Sequence, residues 1–384
     1  MAVAIGAEAN AIARAVRLDA VHEGDVSALR GRRPRPTPRR RSVIEPGHQH
    51  DMGISGATNQ LPRQARASRC VLLTGATGFI GGAVARALAA RPDVELSVLL
   101  RRPASAPAAR ELFGDLTRPD SLAGHCRGID TLVHAASYVG TDPEHCAAVN
   151  DQGTAVMLGE ADRARVQRII YISTAAVYGQ GPHRDAEPEQ LVPAPSSPAS
   201  RTRLMGEHMV RAAGGVVLRP HLIYGIGDRW FVPGLVNLTR LFGRLPNADQ
   251  VRLSTIAVDD LAGAVAELVT RAEALPPGTV LHANHPTPTT LHTMIETVAR
   301  HTGRSLTNRT ISREHLSIDS HTNGRIARHR AMVSSDHWYA SKRIWRLTNH
   351  DPGAGFTETF PRYAPWYRIE LSRLDVPGRS IFQD

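Results

Sequence analysis

Lysine is nearly missing from this chain: Lys342 is the only one, and arginine supplies the other 45 of the 46 basic side chains. Any chemistry that needs a lysine must therefore use Lys342 or is excluded. Cysteine is sparse as well. Cys70, Cys126 and Cys146 form no CxxC or CxxH pattern, which argues against a disulfide framework and a cysteine-built zinc site, so a reducing, cytoplasmic setting without a bound metal is expected. No apolar run approaches the roughly 18 residues of a membrane span, and Glu8, Arg14 and Arg17 break up the first stretch, which speaks against a membrane anchor or secretory leader. Aromatic residues make up only 5% of the chain, yet 42% of its 384 residues are apolar and 21% charged. That is enough apolar material for a full-sized core, and it excludes disorder throughout.

Acidic residues are outnumbered, giving a formal charge of +10. Half of that excess sits in residues 1–68, where Gly31 to Ser42 reads GRRPRPTPRRRS. Such a run is first a solvated, proline-rich tail, so the body is only mildly basic and nucleic acid is not the expected partner. Residues 1–68 alternate Ala-rich, Arg/Pro-rich and Gly/Asn/Gln-rich stretches without periodicity, as an unstructured extension does, and Met52 is an alternative start.

From Cys70 the texture changes to short apolar runs separated by helix-length amphipathic segments. The runs Cys70 to Thr74, Glu95 to Leu100, Thr131 to Ala135, Arg168 to Ser173 and Gly215 to Arg219 predict strands. Ile80 to Ala90, Ser121 to Cys126, Pro143 to Arg163 and Arg201 to Ala213 predict the helices between them. Right-handed crossovers wind such a series into a doubly wound parallel sheet, an α/β Rossmann fold. Residues 69–220 are expected to form this nucleotide-binding domain. Residues 221–384, less regular, with a strand near Val251 to Ala257 and a helix near Asp259 to Arg271, are expected to be mainly a smaller substrate-binding lobe that can return segments to the sheet.

The stretch VLLTGATGFIGG puts Gly75, Gly78 and Gly81 between the first strand and its helix. Glycines there permit a tight turn and close approach of backbone to a pyrophosphate, and the helix start offers unpaired N–H groups and a positive dipole end. The second strand ends in Arg101 and Arg102. A site for NAD usually carries an Asp or Glu at this point to accept the ribose 2′-hydroxyl, whereas a 2′-phosphate calls for a cation, so NADP (NADPH) is the expected cofactor.

With these residues in place, the chain from about Arg69 onward resembles the extended short-chain dehydrogenases/reductases, the NAD-dependent epimerase/dehydratase-like group. TGATGFIGG resembles their glycine loop, Gly114 to Leu116 (GDL) the segment whose Asp meets adenine, and Val133 to Ser137 (VHAAS) the lining of the cofactor groove. Asn150 with Gly153 and Thr154 resembles an N-x-x-G-T helix, Tyr171 to Gly179 (YISTAAVYG) the strand carrying the active Ser or Thr, Leu218 to Asp228 (LRPHLIYGIGD) the segment beside the nicotinamide, and Ser254 to Val265 a later helix. The resemblance implies cofactor contacts from Gly75, Thr77, Gly78, Phe79, Ile80, Gly81, Arg101, Arg102, Asp115, Leu116, Ala135, Ala136, Asn150, Arg203, Pro220 and Ile223.

The resemblance also implies a catalytic set of Ser or Thr, Tyr and Lys, with the last two spaced Y-x-x-x-K. Thr174 matches the first. In Ser197 to Val210 (SPASRTRLMGEHMV) the tyrosine position holds Ala199 and the lysine position Arg203, while Tyr339 to Lys342 resembles a C-terminal packing segment. Hydride delivery builds negative charge on oxygen, and a positioned acid contributes about 10² to 10⁴ in rate. Ala199 has no proton to give, and Arg203 keeps a donor and a charge but titrates too high to exchange protons near neutrality. A phenol of the substrate beside the ketone can stabilise the oxyanion and supply the proton. Otherwise Thr174, Ser137, Tyr138, His183 or His221 takes the role, or the protein performs no redox step, as in the tyrosine-deficient NmrA-like regulators or a redox-silent lyase or isomerase.

Thr174 and Ser137 are the residues expected to act on the carbonyl, and Tyr138, His183, His221, Trp230 and Phe231 those expected to contact substrate. Each also reads as ordinary core or loop. The expected activity is NADPH-dependent reduction of a bulky aromatic ketone in antibiotic or other specialised metabolism, similar to that of the tyrosine-less, simocyclinone-type angucyclinone polyketide ketoreductases. The sequence leaves the oligomeric state open.

Overall fold

Short apolar strands buried on both faces dictate the central layer. The computed structural model describes residues 68–104, 109–242, 245, 247–271, 273, 275–305, 326 and 330–373, which fall within one unit spanning Gln64–Asp384. The expected N-terminal extension and Met52 lie outside the described residues, apart from Ser68.

Strands β1 (Arg69–Thr74), β2 (Val94–Leu100), β3 (Arg110–Phe113), β4 (Thr131–His134), β5 (Arg168–Ile172), β7 (Val216–Arg219) and β11 (Val280–His282) form a seven-stranded sheet in the order β11-β7-β5-β4-β1-β2-β3. Every pairing in it is parallel. β4, β7 and β11 are buried at every position, as expected of strands covered on both sides. On one face α1 (Phe79–Ala89) packs against α6 (Val258–Thr270) over a core that includes Val71, Leu73, Val84, Leu88, Val133, Leu261 and Val265. The other face is closed by α2 (Pro143–Cys146), a π-helical turn at Ala147–Gln152, α3 (Gly153–Arg163) and α4 (Pro198–Ala212), with Leu72, Leu132, Met157, Tyr171 and Val217 between the layers. The chain order reverses between β1 and β4, so a crevice opens at their carboxyl ends.

The C-terminal half is divided between two places. β11 extends the main sheet and α6 covers it. A separate four-stranded sheet, β12-β9-β13-β6, and a two-stranded pair, β10-β8, form the lobe together with α5 (Phe231–Phe242) and α7 (Leu291–Thr302). Those strands are β6 (His183–Ala186), β8 (Leu222–Tyr224), β9 (Arg252–Leu253), β10 (Thr255–Ala257), β12 (Thr289–Thr290) and β13 (His337–Tyr339).

Three expectations change. Ser121 to Cys126 is no helix: only a 3-10 turn forms at Pro119–Leu122, because Gly124 takes a left-handed φ of 80° and the segment anchors itself through buried Leu122. The run Val251 to Ala257 is two strands, broken at Ser254, since β9 joins the four-stranded sheet while β10 pairs with β8. β3 was not anticipated, being a half-exposed edge strand of mixed polarity.

Candidate active site

Two glycine contacts shape the crevice floor. A Cβ on Gly75 would lie 2.6 Å from the Ala136 nitrogen, and one on Gly81 would lie 2.0 Å from the Gly75 carbonyl oxygen; Gly75 also needs its φ of 77°. Gly78 is the N-cap of α1 with no side chain to satisfy the first N–H groups, and no acidic residue occupies the first turn. The bare helix start, with exposed Thr77 and Gly78 above it, fits a pyrophosphate. Phe79 and Ile80 are half-buried at the helix entry, and Gly227 approaches the Phe79 ring closely enough that a Cβ there would lie 3.1 Å from it. Arg101 and Arg102 are exposed past β2. Asp115 accepts from the Thr117 amide at 2.9 Å and hydroxyl at 2.8 Å. These bonds, with Arg101 and Arg118 nearby, hold its carboxyl below the usual range. Leu116 packs into the core against Gly153.

A relay of hydrogen bonds fixes the far wall. The Ala136 amide donates to Thr74 Oγ1 at 3.2 Å, Thr74 Oγ1 lies 2.7 Å from His134 Nδ1, and His134 Nε2 lies 3.1 Å from Thr154 Oγ1. Thr154 in turn donates to the Asn150 carbonyl at 2.7 Å. That last bond requires the imidazole proton on Nε2, and burial pushes the ring's pKa down to about 4, so His134 is neutral. Asn150 sits in the π-helical turn. Its side chain accepts from the Tyr138 amide at 2.7 Å and donates to the Tyr138 carbonyl at 2.8 Å and to Thr202 Oγ1 at 3.0 Å. The loop after β4, with Ala135 and Ala136, is thereby tied to α4. Ser137 Oγ is shielded from solvent and has no partner among the described residues. The Tyr138 ring meets His145 edge-on at 4.3 Å, and its hydroxyl folds over Gly140.

The edge that carries Thr174 lies at the ends of β5 and β7. Thr174 is half-buried and caps a 3-10 turn at Ala175–Tyr178 by accepting from the Ala176 amide at 3.1 Å. Its hydroxyl proton is left to donate elsewhere. The Ala175 amide bonds the Pro220 carbonyl at 2.8 Å, which sets Thr174 beside the segment that follows β7. Ala199, 9% exposed, lies in the first turn of α4. Arg203 reaches inward beside the Tyr171 hydroxyl, donating from Nη2 to the Ile172 carbonyl at 2.9 Å, while its Nε is buried without a bond among the described residues.

Beneath this edge runs a buried charged network absent from the sequence-based site. Ser173 Oγ donates to Glu207, which Arg219 grips through Nε, at 3.0 and 3.1 Å to its two oxygens, and through Nη2. Arg219 Nη1 donates to the Tyr178 hydroxyl at 2.6 Å, and that hydroxyl lies 2.7 Å from His282 Nε2. His282 Nδ1 is 3.3 Å from the Ala340 carbonyl, so it bears the ring proton and Nε2 accepts from Tyr178. Burial pushes Tyr178 up to about 12 and His282 down to about 3. Tyr178 is thus a brace rather than an acid.

His183 and His221, far apart in sequence, meet through β13. His221 stacks on His337 with ring centroids 5.6 Å apart, and His183 meets His337 edge-on at 5.3 Å. The Tyr339 hydroxyl lies 3.2 Å from His183 Nδ1. Burial, then the neighbouring histidines, lower His183 and His221, and burial lowers His337, so these rings are uncharged near neutrality. His282, His337 and Tyr339 were missed because they gain meaning only when β11 and β13 come together. Among the described residues no group of His, Cys, Asp or Glu is arranged to hold a metal, and no helix is long and apolar enough to cross a membrane.

Two expected substrate contacts separate. Asp228 accepts from the amides of Trp230 (2.9 Å), Phe231 (2.7 Å) and Val232 (2.9 Å) and from the Tyr367 hydroxyl (2.8 Å), starting α5 there. This turns Phe231 inward: at 3% exposure it belongs to the lobe's core with Leu235 and Tyr363, not to an open wall. Trp230 stays 52% exposed. Pro220 is buried, and Ile223 is half-buried in β8 against the main core.

The model of the NAD dependent epimerase/dehydratase family matches residues 71–282. A 4-hydroxy-2-methyl-3-oxo-4-farnesyl-3,4-dihydroquinoline-1-oxide ketoreductase of Stigmatella aurantiaca is 32% identical over 184 residues, covering 44% of this chain and 54% of that protein. A ceramide reductase of Caulobacter vibrioides is 35% identical over 201 residues, covering 50% and 58%. The matches thus span little more than half the length of these two relatives. In fold, the chain is similar to the UDP-glucuronic acid 4-epimerase of Bacillus cereus in complex with NAD, with a TM-score of 0.62, 18% identity and coverage of 78% of this chain and 99% of that one. It is likewise similar to the dTDP-glucose 4,6-dehydratase of Streptomyces venezuelae with NAD bound, with a TM-score of 0.61, 20% identity and coverage of 78% and 97%.

Proposed function

Because this chain belongs to the NAD dependent epimerase/dehydratase family, we propose that it is an NADPH-dependent ketoreductase for a bulky, hydroxylated aromatic ketone of the polyketide type, in antibiotic or related specialised biosynthesis. The observation that carries this reading is Thr174. Its hydroxyl caps a turn as an acceptor and keeps its proton for a carbonyl oxygen, while the position of the family's tyrosine holds Ala199 and the nearby imidazoles are neutral. A protein surface with a hydrogen-bond donor but no acid is suited to a substrate that brings its own proton.

The glycine cradle and the start of α1 hold the pyrophosphate, and Arg101 with Arg102 meets a 2′-phosphate. Nicotinamide dinucleotide, when bound, supplies the hydride. Thr174 polarises the carbonyl, and Ser137 Oγ, buried in the loop after β4, serves as the second donor. Arg203 keeps positive charge at the end of β5, where the oxyanion's field is felt. The two relatives named are, by their names, reductases of a farnesylated quinoline and of a ceramide. Large apolar substrates of that kind favour a bulky ketone over a small polar one.

Titrating the protein with NADPH and NADH, then following nicotinamide absorbance with polycyclic hydroxy-ketones, tests the proposal. The expected result is NADPH binding at least about tenfold tighter, from the charge-assisted phosphate bonds, with ketone-dependent oxidation. Equal affinities overturn the NADP assignment. Tight binding with no oxidation across the ketones overturns the reductase.

A further inference from the structure

Proton and hydride movement leave the histidine group unused. Its members come from separate segments: His183 from β6, His221 from the link after β7, His282 from the end of β11 and His337 from β13. Gathering polar rings away from water is costly unless each finds a partner. His282 is engaged with Tyr178 and the Ala340 carbonyl, and His337 Nδ1 lies 2.9 Å from the Ser335 carbonyl. His221 is different. Its backbone amide is held by Asn284 Oδ1 at 2.7 Å, but its Nε2 is hidden from solvent with no partner among the described residues, a deficit that a ligand oxygen would remove. His183 is half-exposed. Its Nδ1 lies 3.2 Å from the Tyr339 hydroxyl, a contact that fixes the ring and leaves Nε2 at the opposite edge to face a ligand.

The group also has the right address. His221 directly follows Pro220, whose carbonyl holds the Ala175 amide next to Thr174. The orphan nitrogen thus belongs to the segment bordering the edge that carries Thr174.

We propose that His183 and His221, held in place by His337 and Tyr339, form a subsite for a second oxygen of the substrate, a hydroxyl or carbonyl on the part of the molecule remote from the reacting ketone. This rests on the reductase reading and narrows it: the substrate is an apolar ring system carrying oxygen at both ends. His337 and Tyr339 are positioning residues, acting through the two rings they hold.

The test uses the full chain and two probes, a polycyclic ketone bearing a hydroxyl at its far end and the same ketone without it. The wild type is expected to show a KM about five- to tenfold lower for the hydroxylated probe, the worth of one buried hydrogen bond. In His183→Ala that preference falls to near unity. Tyr339→Phe keeps the ring and is expected to lose part of the preference, and His183→Asn, which retains a donor, to restore part of it. These changes should appear in KM rather than kcat. Preference surviving intact in His183→Ala overturns the subsite, as does an equal rise in KM for both probes. Titrating both probes into protein loaded with NADP⁺ reads binding alone, and a separate assay with NADPH reads turnover: selective binding without turnover removes the reductase and leaves the subsite, and turnover without selectivity does the reverse.

Discussion

At the scale of single residues, the proposed cofactor site rests on glycine and arginine. Gly81 has a backbone oxygen 2.0 Å from where a Cβ would stand, so Gly81→Ala must push the loop away from α1. Overpacking of this kind costs about 1–3 kcal/mol, and Gly81→Ala is expected to weaken NADPH binding at least about tenfold and lower the melting temperature, read by titration and thermal denaturation. Replacing Arg101 and Arg102 together with alanine is expected to raise the Kd for NADPH about 10- to 100-fold, the worth of charge-assisted phosphate bonds, and to leave that for NADH nearly unchanged. An equal loss for both dinucleotides would show that the arginines do not read the 2′-phosphate. The glycine turn was legible in the sequence because it is local: strand, turn and helix follow one another within Val71 to Gly82. The functions of Tyr178 and Glu207 were not, since their partners are Arg219 and His282, which only the fold brings near.

At the scale of elements, the Glu207–Arg219 pair joins α4 to β7, and through Tyr178 it joins the turn behind Thr174 to β11. Both charged groups are almost fully buried. Removing one partner strands the other, at about 3–5 kcal/mol. Glu207→Ala is therefore expected to lower the urea midpoint strongly, and to reduce kcat through a loosened Thr174 even where the protein stays folded. A midpoint within error of the parent would contradict the brace. The elements of the main sheet were readable because each strand is a buried apolar run followed by a helix. The four-stranded lobe sheet was not, because its strands are two to four residues long and pair across large sequence gaps: β6 lies beside β13, and β9 bridges β12 and β13. Two- and three-residue strands carry almost no periodicity, and their existence depends on partners rather than on propensity.

At the scale of the whole molecule, buried neutral histidines make stability depend on pH. His134 and His282 titrate near 4 and 3 in the folded protein against about 6.5 when unfolded. The unfolded chain therefore takes up protons first as pH falls, and the stability these rings carry is complete above about pH 6.5 and lost as pH drops towards 4. Urea unfolding at pH 7, 5.5 and 4.5 is expected to show a midpoint that falls with pH, and His134→Asn to flatten the dependence by about one proton. A midpoint constant across that range would mean that these histidines are not buried neutral. β11 and α6 follow residue 220 in sequence yet belong to the layers of the main sheet, while β6, before it, belongs to the lobe. Thr174 lies where the chain passes from β5 to β6.

In the proposed reaction the substrate, not the protein, provides the proton. This is tested most directly by comparing kcat/KM for NADPH oxidation with a ketone bearing an adjacent phenol and with the same ketone as its methyl ether. Loss of a positioned acid predicts a fall of about 10² to 10⁴ for the ether. Equal turnover of the two would contradict the account and put the acid back within the protein.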